Sequence, residues 1–338
     1  MTPKEQFKLD LKDRKILYQL DVNARQSASE IGRKVGLDKQ VVAYRIHRLL
    51  EEGAITKFYA VYDTSKLGFT TYKILLRLQN TDTAKEQEIV QFIKNHPHVQ
   101  FFMSCDGNFD LVFNVLARSA IELNDILTDF ENKYGSFVAE RQVMIMLLSS
   151  FFTREYLIGK KSSEQRKPIY FGSKPEEVKL DKDDYPILGQ LGVDARMPLV
   201  EIAKKVGVSA DTVRLRIRKM EKAQIIHNYL LLPDFSSLGY LSYKLLFSLH
   251  NLTKERENRL YEFCRQHPNI WFHSKSLGRW DLEVNLDVSS PQEFRGIMRD
   301  LKSDFSSIIK EYATLQISAI HVFNFYPLWK NGSTGRIL

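Results

Sequence analysis

From Leu11 to Leu20 the apolar positions Leu11, Ile16, Leu17 and Leu20 recur at three- and four-residue intervals behind Asp10, which predicts a helix with that face inward and Asp10 as its cap. A second helix opens at Ser27, an N-cap with Glu30 three residues on, and carries Ile31 and Val35 as far as Gly36. After Asp38 a longer helix places Val42, Ile46, Leu49 and Leu50 on one stripe and Lys39, Gln40, Ala43, Tyr44, His47 and Arg48 on the other. Two helices joined by so short a turn cross steeply, which is helix-turn-helix geometry. Past Gly53, Ile55 to Tyr62 alternates and is β-branched and aromatic, which predicts a strand leaving the third helix as a wing.

From Thr70 the period changes. Strand Tyr72–Leu78, helix Ala84–Lys94, strands Val99–Cys105 and Asp110–Ala117 around Asp106-Gly107-Asn108, helix Ile121–Tyr134 and strand Phe137–Leu148 follow in turn. Right-handed crossovers make this βαββαβ run a ferredoxin-like, four-stranded antiparallel sheet with both helices on one face. Its strands are apolar on both sides, so the bare face is expected to pack on another sheet.

The chain supplies that second sheet itself. At one constant, gap-free offset Leu9 aligns with Leu180, Ile31 with Ile202, Gly36 with Gly207, Arg45 with Arg216, His96-Pro97 with His267-Pro268, Gly107 with Gly278 and Asp110 with Asp281. Identity is roughly three positions in ten, which marks an internal duplication. The second copy repeats helices Asp184–Leu191, Pro198–Val206 and Ala210–Ala223 (capped by Ser209), strand Ile226–Leu232, and a second βαββαβ run. The fold class expected is α+β: two winged helix-turn-helix domains and two ferredoxin-like βαββαβ domains in tandem, sheets face to face as an intramolecular pseudo-dimer. The boundaries are 1–62 and 180–233 for the helix-turn-helix domains, 63–152 and 234–329 for the sheet domains, and 153–179 for a linker centred on GKKSSEQRKP. Within the linker IYFG suits a short edge strand, and the apolar end Phe323, Phe325, Tyr326, Leu328 and Trp329 suits either a cover for the first sheet or a further interface.

Composition sharpens this only in places. At 338 residues with 27% charged and 43% hydrophobic positions, the chain is ordinary globular material. The formal charge of +8 favours polyanions, and its placement is informative. The first helix-turn-helix region and the segment 153–175 each hold roughly +4, while 61–152 is slightly acidic. Cys105 and Cys264 are not at equivalent positions and read as small apolar fillers in a reducing compartment. The N-terminus has no signal-like apolar core and no apolar run is long enough to span a bilayer, so a cytoplasmic protein without membrane association is expected.

The candidate chemistry is double-stranded DNA reading. Lys39, Gln40, Tyr44, Arg45, His47 and Arg48 on the first recognition helix, and Asp211, Arg214, Arg216, Arg218 and Lys219 on the second, are the candidate contacts, since donors and short side chains suit phosphates and purine edges. For Arg45 and Arg216, beside the apolar stripe, a phosphate contact and an intradomain ion pair fit equally. Tyr44 suits a thymine methyl or a mere cover for its helix. Gly107, Asp110, Gly278 and Asp281 form a repeated hairpin signature in which the carboxylate either meets an ammonium group or simply starts its strand. His96 and His267 sit at helix ends without a second ligand at metal spacing, so neither metal nor cofactor is expected. Trp271, Phe272 and Trp280 read as interface core.

The runs LDLKDRKILYQLDVNAR and IGRKVGLDKQVVAYRIHRLLEEGAI, repeated as LDKDDYPILGQLGVDAR and IAKKVGVSADTVRLRIRKMEKAQII, resemble the Lrp/AsnC family of transcription regulators. That resemblance implies a DNA-binding regulator whose sheet domains pair and can bind an amino-acid-like effector near the Gly107–Asp110 and Gly278–Asp281 hairpins. Ordinary members carry one module per chain. Here the two outward sets share little, which implies an asymmetric pair of half-sites; further assembly of pseudo-dimers stays open. Siroheme decarboxylases are similar in architecture and are the rival class, but two basic recognition faces and the lack of a paired acid/base cluster lead to the expectation that this chain is not an enzyme.

Overall fold

The computed structural model describes residues 7–160, 166–172 and 178–328. The first head holds α1 (Leu11–Val22), α2 (Ala28–Val35) and α3 (Lys39–Glu51), followed by β1 (Ile55–Tyr62). Asp10 and Ser27 close capping boxes on α1 and α2, and Gly36 takes the left-handed C-cap of α2 at φ 68°. Leu11, expected inward, and Leu50 are exposed, so the apolar stripes are narrower than their periodicity suggested.

The first sheet unit comprises β2 (Thr70–Leu78), α4 (Thr83–Asn95), β3 (Val99–Gly107), β4 (Leu111–Ala117), α5 (Ala120–Tyr134) and β5 (Val138–Phe151). Between the copies lies the three-residue β6 (Ile169–Phe171), where IYFG suggested an edge strand. The second head is α6 (Asp184–Val193), α7 (Leu199–Val206), α8 (Ala210–Lys222) and β7 (Ile226–Pro233). The second sheet unit is β8 (Leu241–Leu249), α9 (Lys254–Gln266), β9 (Ile270–Leu277), β10 (Leu282–Val288), α10 (Pro291–Phe305) and β11 (Ile309–Phe323).

Each unit keeps the ferredoxin-like strand order, β5-β2-β4-β3 and β11-β8-β10-β9. The pairing between units goes beyond the face-to-face packing expected. The far half of β5 pairs with β9 from Ile145↔Leu277 to Phe151↔Phe272, and the far half of β11 pairs with β3 from Leu315↔Gly107 to Phe323↔Phe101. With β2 also paired to β5, eight antiparallel strands close a ring around one interior and leave no open edges. The helices cover its outside. Leu75, Met103, Cys105, Val112, Met144, Leu246 and Leu315 fill one end of that interior. Burial pushes the Cys105 and Cys264 thiols up to about 12, in keeping with small apolar fillers.

The two strands expected as wings pair with each other. β1 and β7 run antiparallel with Tyr59 opposite Leu230, making a two-stranded ribbon between the heads. Each head also docks on the other's strand: Ala24 N–H donates to Tyr229 O at 2.7 Å, and Ala195 N–H to Phe58 O at 3.2 Å. Arg25 donates to Ala195 O at 2.6 Å and Arg196 to Gln26 O at 3.1 Å. The apolar end is used internally, because Phe323 and Phe325 pack against Tyr59, with Tyr326 and Leu328 buried beside them. Trp329 lies outside the described residues.

Candidate functional site

Two features are candidates: the outward faces of α3 and α8, and a cavity inside the strand ring. On α3, Val42, Ile46 and Leu49 are buried against the head core, so Lys39, Gln40, Ala43, Tyr44 and His47 face solvent. Tyr44 is 67% exposed and covers nothing, and the equivalent Leu215 is 66% exposed. His47 pairs with Glu51 at 3.0 Å on the same face.

Arg45 and Arg216 take the ion-pair role. Arg45 bridges Asp10 at 2.7 Å and Asp13 at 2.8 Å. Position for position, Arg216 bridges Asp181 and Asp184, each at 3.0 Å, and also reaches Asp183 at 3.1 Å. The hydrogen bonds that Arg45 donates to Asp10 and Asp13 raise its pKa; burial works against the Arg216 charge, yet its aspartates raise that pKa too. Each arginine therefore locks the first helix of its head to the third. Arg48, expected on the outward face, folds back to Asp13 at 2.7 Å with its guanidinium over the Phe7 ring.

On α8 the Ser209 hydroxyl caps the helix, accepting from Thr212 N–H at 3.0 Å. Arg214 and Asp211 pair with one another at 2.7 Å while both stay exposed, and Lys219 reaches Asp181 at 3.3 Å. Arg218 is exposed and carries no ion pair among the described residues.

The hairpin residues have structural work. Asp110 accepts from Leu78 N–H and Asp281 from Leu249 N–H, each at 2.7 Å, so both carboxylates tie neighbouring strands. Gly107 and Gly278 hold φ at 140° and 147°; a Cβ on Gly107 would lie 2.5 Å from Thr314 O across the unit boundary. None of the four lines the cavity.

That cavity, about 530 Å³, lies at the opposite end of the ring interior from the apolar plug. Its floor is Lys73 from β2, Lys244 from β8 and Glu283 from β10, all at most 2% exposed, with the Glu283 carboxylate contacting both ammonium groups. Lys244 also donates to Asn285 Oδ1 at 3.1 Å. Asn114 Oδ1, in the wall, is buried without a hydrogen-bond partner. Phe101, Trp271, Phe272, Phe323 and Phe325 supply aromatic wall beside the aliphatic Ile145 to Leu148 and the hydroxyls of Thr64, Ser65 and Thr71, and Phe171 of β6 closes one side. Sequence reading missed this trio because a lysine in a strand is ordinarily taken as outward. A signal was present: Lys73 and Lys244 hold the same repeat position in strands apolar on both faces.

The chain matches the AsnC-type helix-turn-helix domain twice, over residues 9–50 and 180–221. It is 35% identical over 122 residues to an HTH-type transcriptional regulator of Pyrococcus horikoshii, an alignment covering 81% of that protein and 36% of this chain. The chain belongs to the Lrp/AsnC family of helix-turn-helix transcription regulators. It is also 33% identical over 121 residues to the proline dehydrogenase transcriptional activator of Rhodobacter capsulatus, covering 78% of that protein and 35% of this chain. Among these regulators the present chain is a tandem member with two helix-turn-helix domains, and its function is DNA-binding transcription regulation.

A solved structure matches over nearly the whole chain. The siroheme decarboxylase NirDL aligns over 92% of both chains with a TM-score of 0.59 and 13% identity. Its complex with an iron-uroporphyrin III analogue aligns over 94% of both at a TM-score of 0.60. At that identity the likeness establishes the fold, and it overturns the expectation that this chain is not an enzyme. The tandem arrangement that set the chain apart from single-module regulators is also the architecture of an enzyme. Among the described residues, no helix is long and apolar enough to cross a membrane.

Proposed function

We propose that the β1–β7 ribbon holds α3 and α8 as a fixed pair of unlike DNA readers that recognise two different half-sites, about one or two helical turns apart. Lys39, Gln40, Tyr44 and His47 contact DNA from α3; Arg214, Arg218 and Lys219 do so from α8, with Asp211 restraining Arg214 until a phosphate or a guanine edge replaces it. The observation that supports this reading most directly is the division of labour among the cations. Arg45 and Arg216 brace the heads at equivalent positions, which leaves distinct residues on the two outward faces.

Duplex binding measured across salt concentrations tests it. Arg218→Ala should lower the salt slope by about 0.9 for one lost phosphate contact, and Lys39→Ala likewise. Absence of duplex binding at low salt would overturn the reading.

The full-length likeness to NirDL favours a second reading, an enzyme acting on a tetrapyrrole. Titration with siroheme tests that one. A saturable Soret change supports it, and an unchanged spectrum counts against it.

A further inference from the structure

DNA reading leaves the interior cavity without a role. In its floor one carboxylate, Glu283, faces two ammonium groups, Lys73 and Lys244, and all three are buried. Burial disfavours the charged form of both lysines, and one carboxylate can match only one of them, so with both protonated the floor is short of one negative charge, which a bound anion would supply. Asn114 Oδ1 in the wall is short of one donor. The rest of the wall mixes aromatic rings with the aliphatic Ile145 to Leu148 and with hydroxyls such as Thr64 and Thr71, and the volume is that of a small-molecule site.

We propose that this cavity binds one small organic monoanion, an aryl carboxylate bearing a ring N–H or hydroxyl. Its carboxylate supplies the missing counter-charge to Lys73 and Lys244, its donor meets Asn114 Oδ1, and its rings lie among Phe101, Phe272 and Phe323. Charge sets the class. A zwitterionic amino acid has no net charge and brings a third ammonium group, while a uroporphyrin-type macrocycle brings many more carboxylates than the floor can neutralise.

The same reasoning sets one ligand per chain, because the position related by the repeat is filled. There Arg154 stands where Phe325 stands in the other copy, with its guanidinium 4.5 Å from the Trp271 ring centroid and 5.4 Å from that of Phe235. It pairs with Asp21 at 2.6 Å and Asp287 at 3.5 Å, and Asp287 also accepts from Tyr156, Ser242 and Trp271. That side has two carboxylates for one guanidinium, so its charge opposes an anion.

Calorimetric titration of the full chain with carbazole-3-carboxylate, carbazole-3-carboxamide, L-tryptophan and siroheme tests the proposal. The carboxylate should bind saturably, one per chain, at least tenfold tighter than the isosteric carboxamide and than tryptophan. Lys73→Met leaves a one-to-one Lys244–Glu283 pair; it should keep its melting temperature and lose at least tenfold in carboxylate affinity. Equal affinity for carboxamide and carboxylate, wild-type affinity in Lys73→Met, two ligands per chain, displacement by siroheme, or no saturable binding would each overturn it. None of these outcomes depends on duplex binding, so the two readings fail separately.

Discussion

Arg45 and Arg216 show how much one side chain's partners decide. In sequence each is a basic residue on a recognition helix; in the fold each meets aspartates of which Asp13 and Asp184 are almost wholly buried. Arg45→Ala is therefore expected to lower head stability by about 1.5–3 kcal/mol, the value of hydrogen bonds to a charged group, without changing the salt slope of DNA binding by the protein that remains folded. Chemical denaturation and a salt titration on the same variant check this. The cavity lysines carry a pH dependence. Burial pulls Lys73 down to about 7 and Lys244, which faces it, well below its ordinary value; the other titratable groups facing them are Glu283 and the Cys105 thiol. An anion bound there favours the charged lysine and raises its pKa, so binding takes up a proton above pH 7 and should weaken as pH rises from 7 toward 9. Affinity for carbazole-3-carboxylate at pH 6.5 and 9 checks the sign.

At the scale of elements, most of the chain was legible. Strand Ile55–Tyr62 has the bounds read from its alternation, and the helices fall within a few residues of their caps because capping and apolar period act locally. What the sequence could not disclose is non-local. The lengths of β5 and β11 were visible, but nothing in either strand says that its far half leaves its own sheet for β9 or β3. The mutual pairing of β1 and β7 was equally hidden, since an alternating strand after a recognition helix reads the same whether it lies as a wing or joins a ribbon. The buried Arg154–Asp21–Asp287 network ties α1 of the first head to the segment after β5 and to β10 of the second unit. Arg154→Ala would strand two buried carboxylates, and a loss of about 3–5 kcal/mol is expected in urea denaturation.

For the whole molecule, duplication converts a two-chain assembly into one chain whose halves can diverge. That divergence is visible at both ends. The heads keep the bracing arginines and differ in their outward residues, and the ring keeps one cavity while its repeat-related position is filled. The same architecture serves an enzyme in NirDL, so the fold alone does not assign a task. Selection of binding sites from random duplex by the full chain tests the central claim most directly. Two unlike half-sites at fixed spacing, one degraded by Lys39→Ala/Gln40→Ala and the other by Arg214→Ala/Arg218→Ala, is the predicted result. Enrichment of a perfect palindrome, or no enrichment at all, would contradict it.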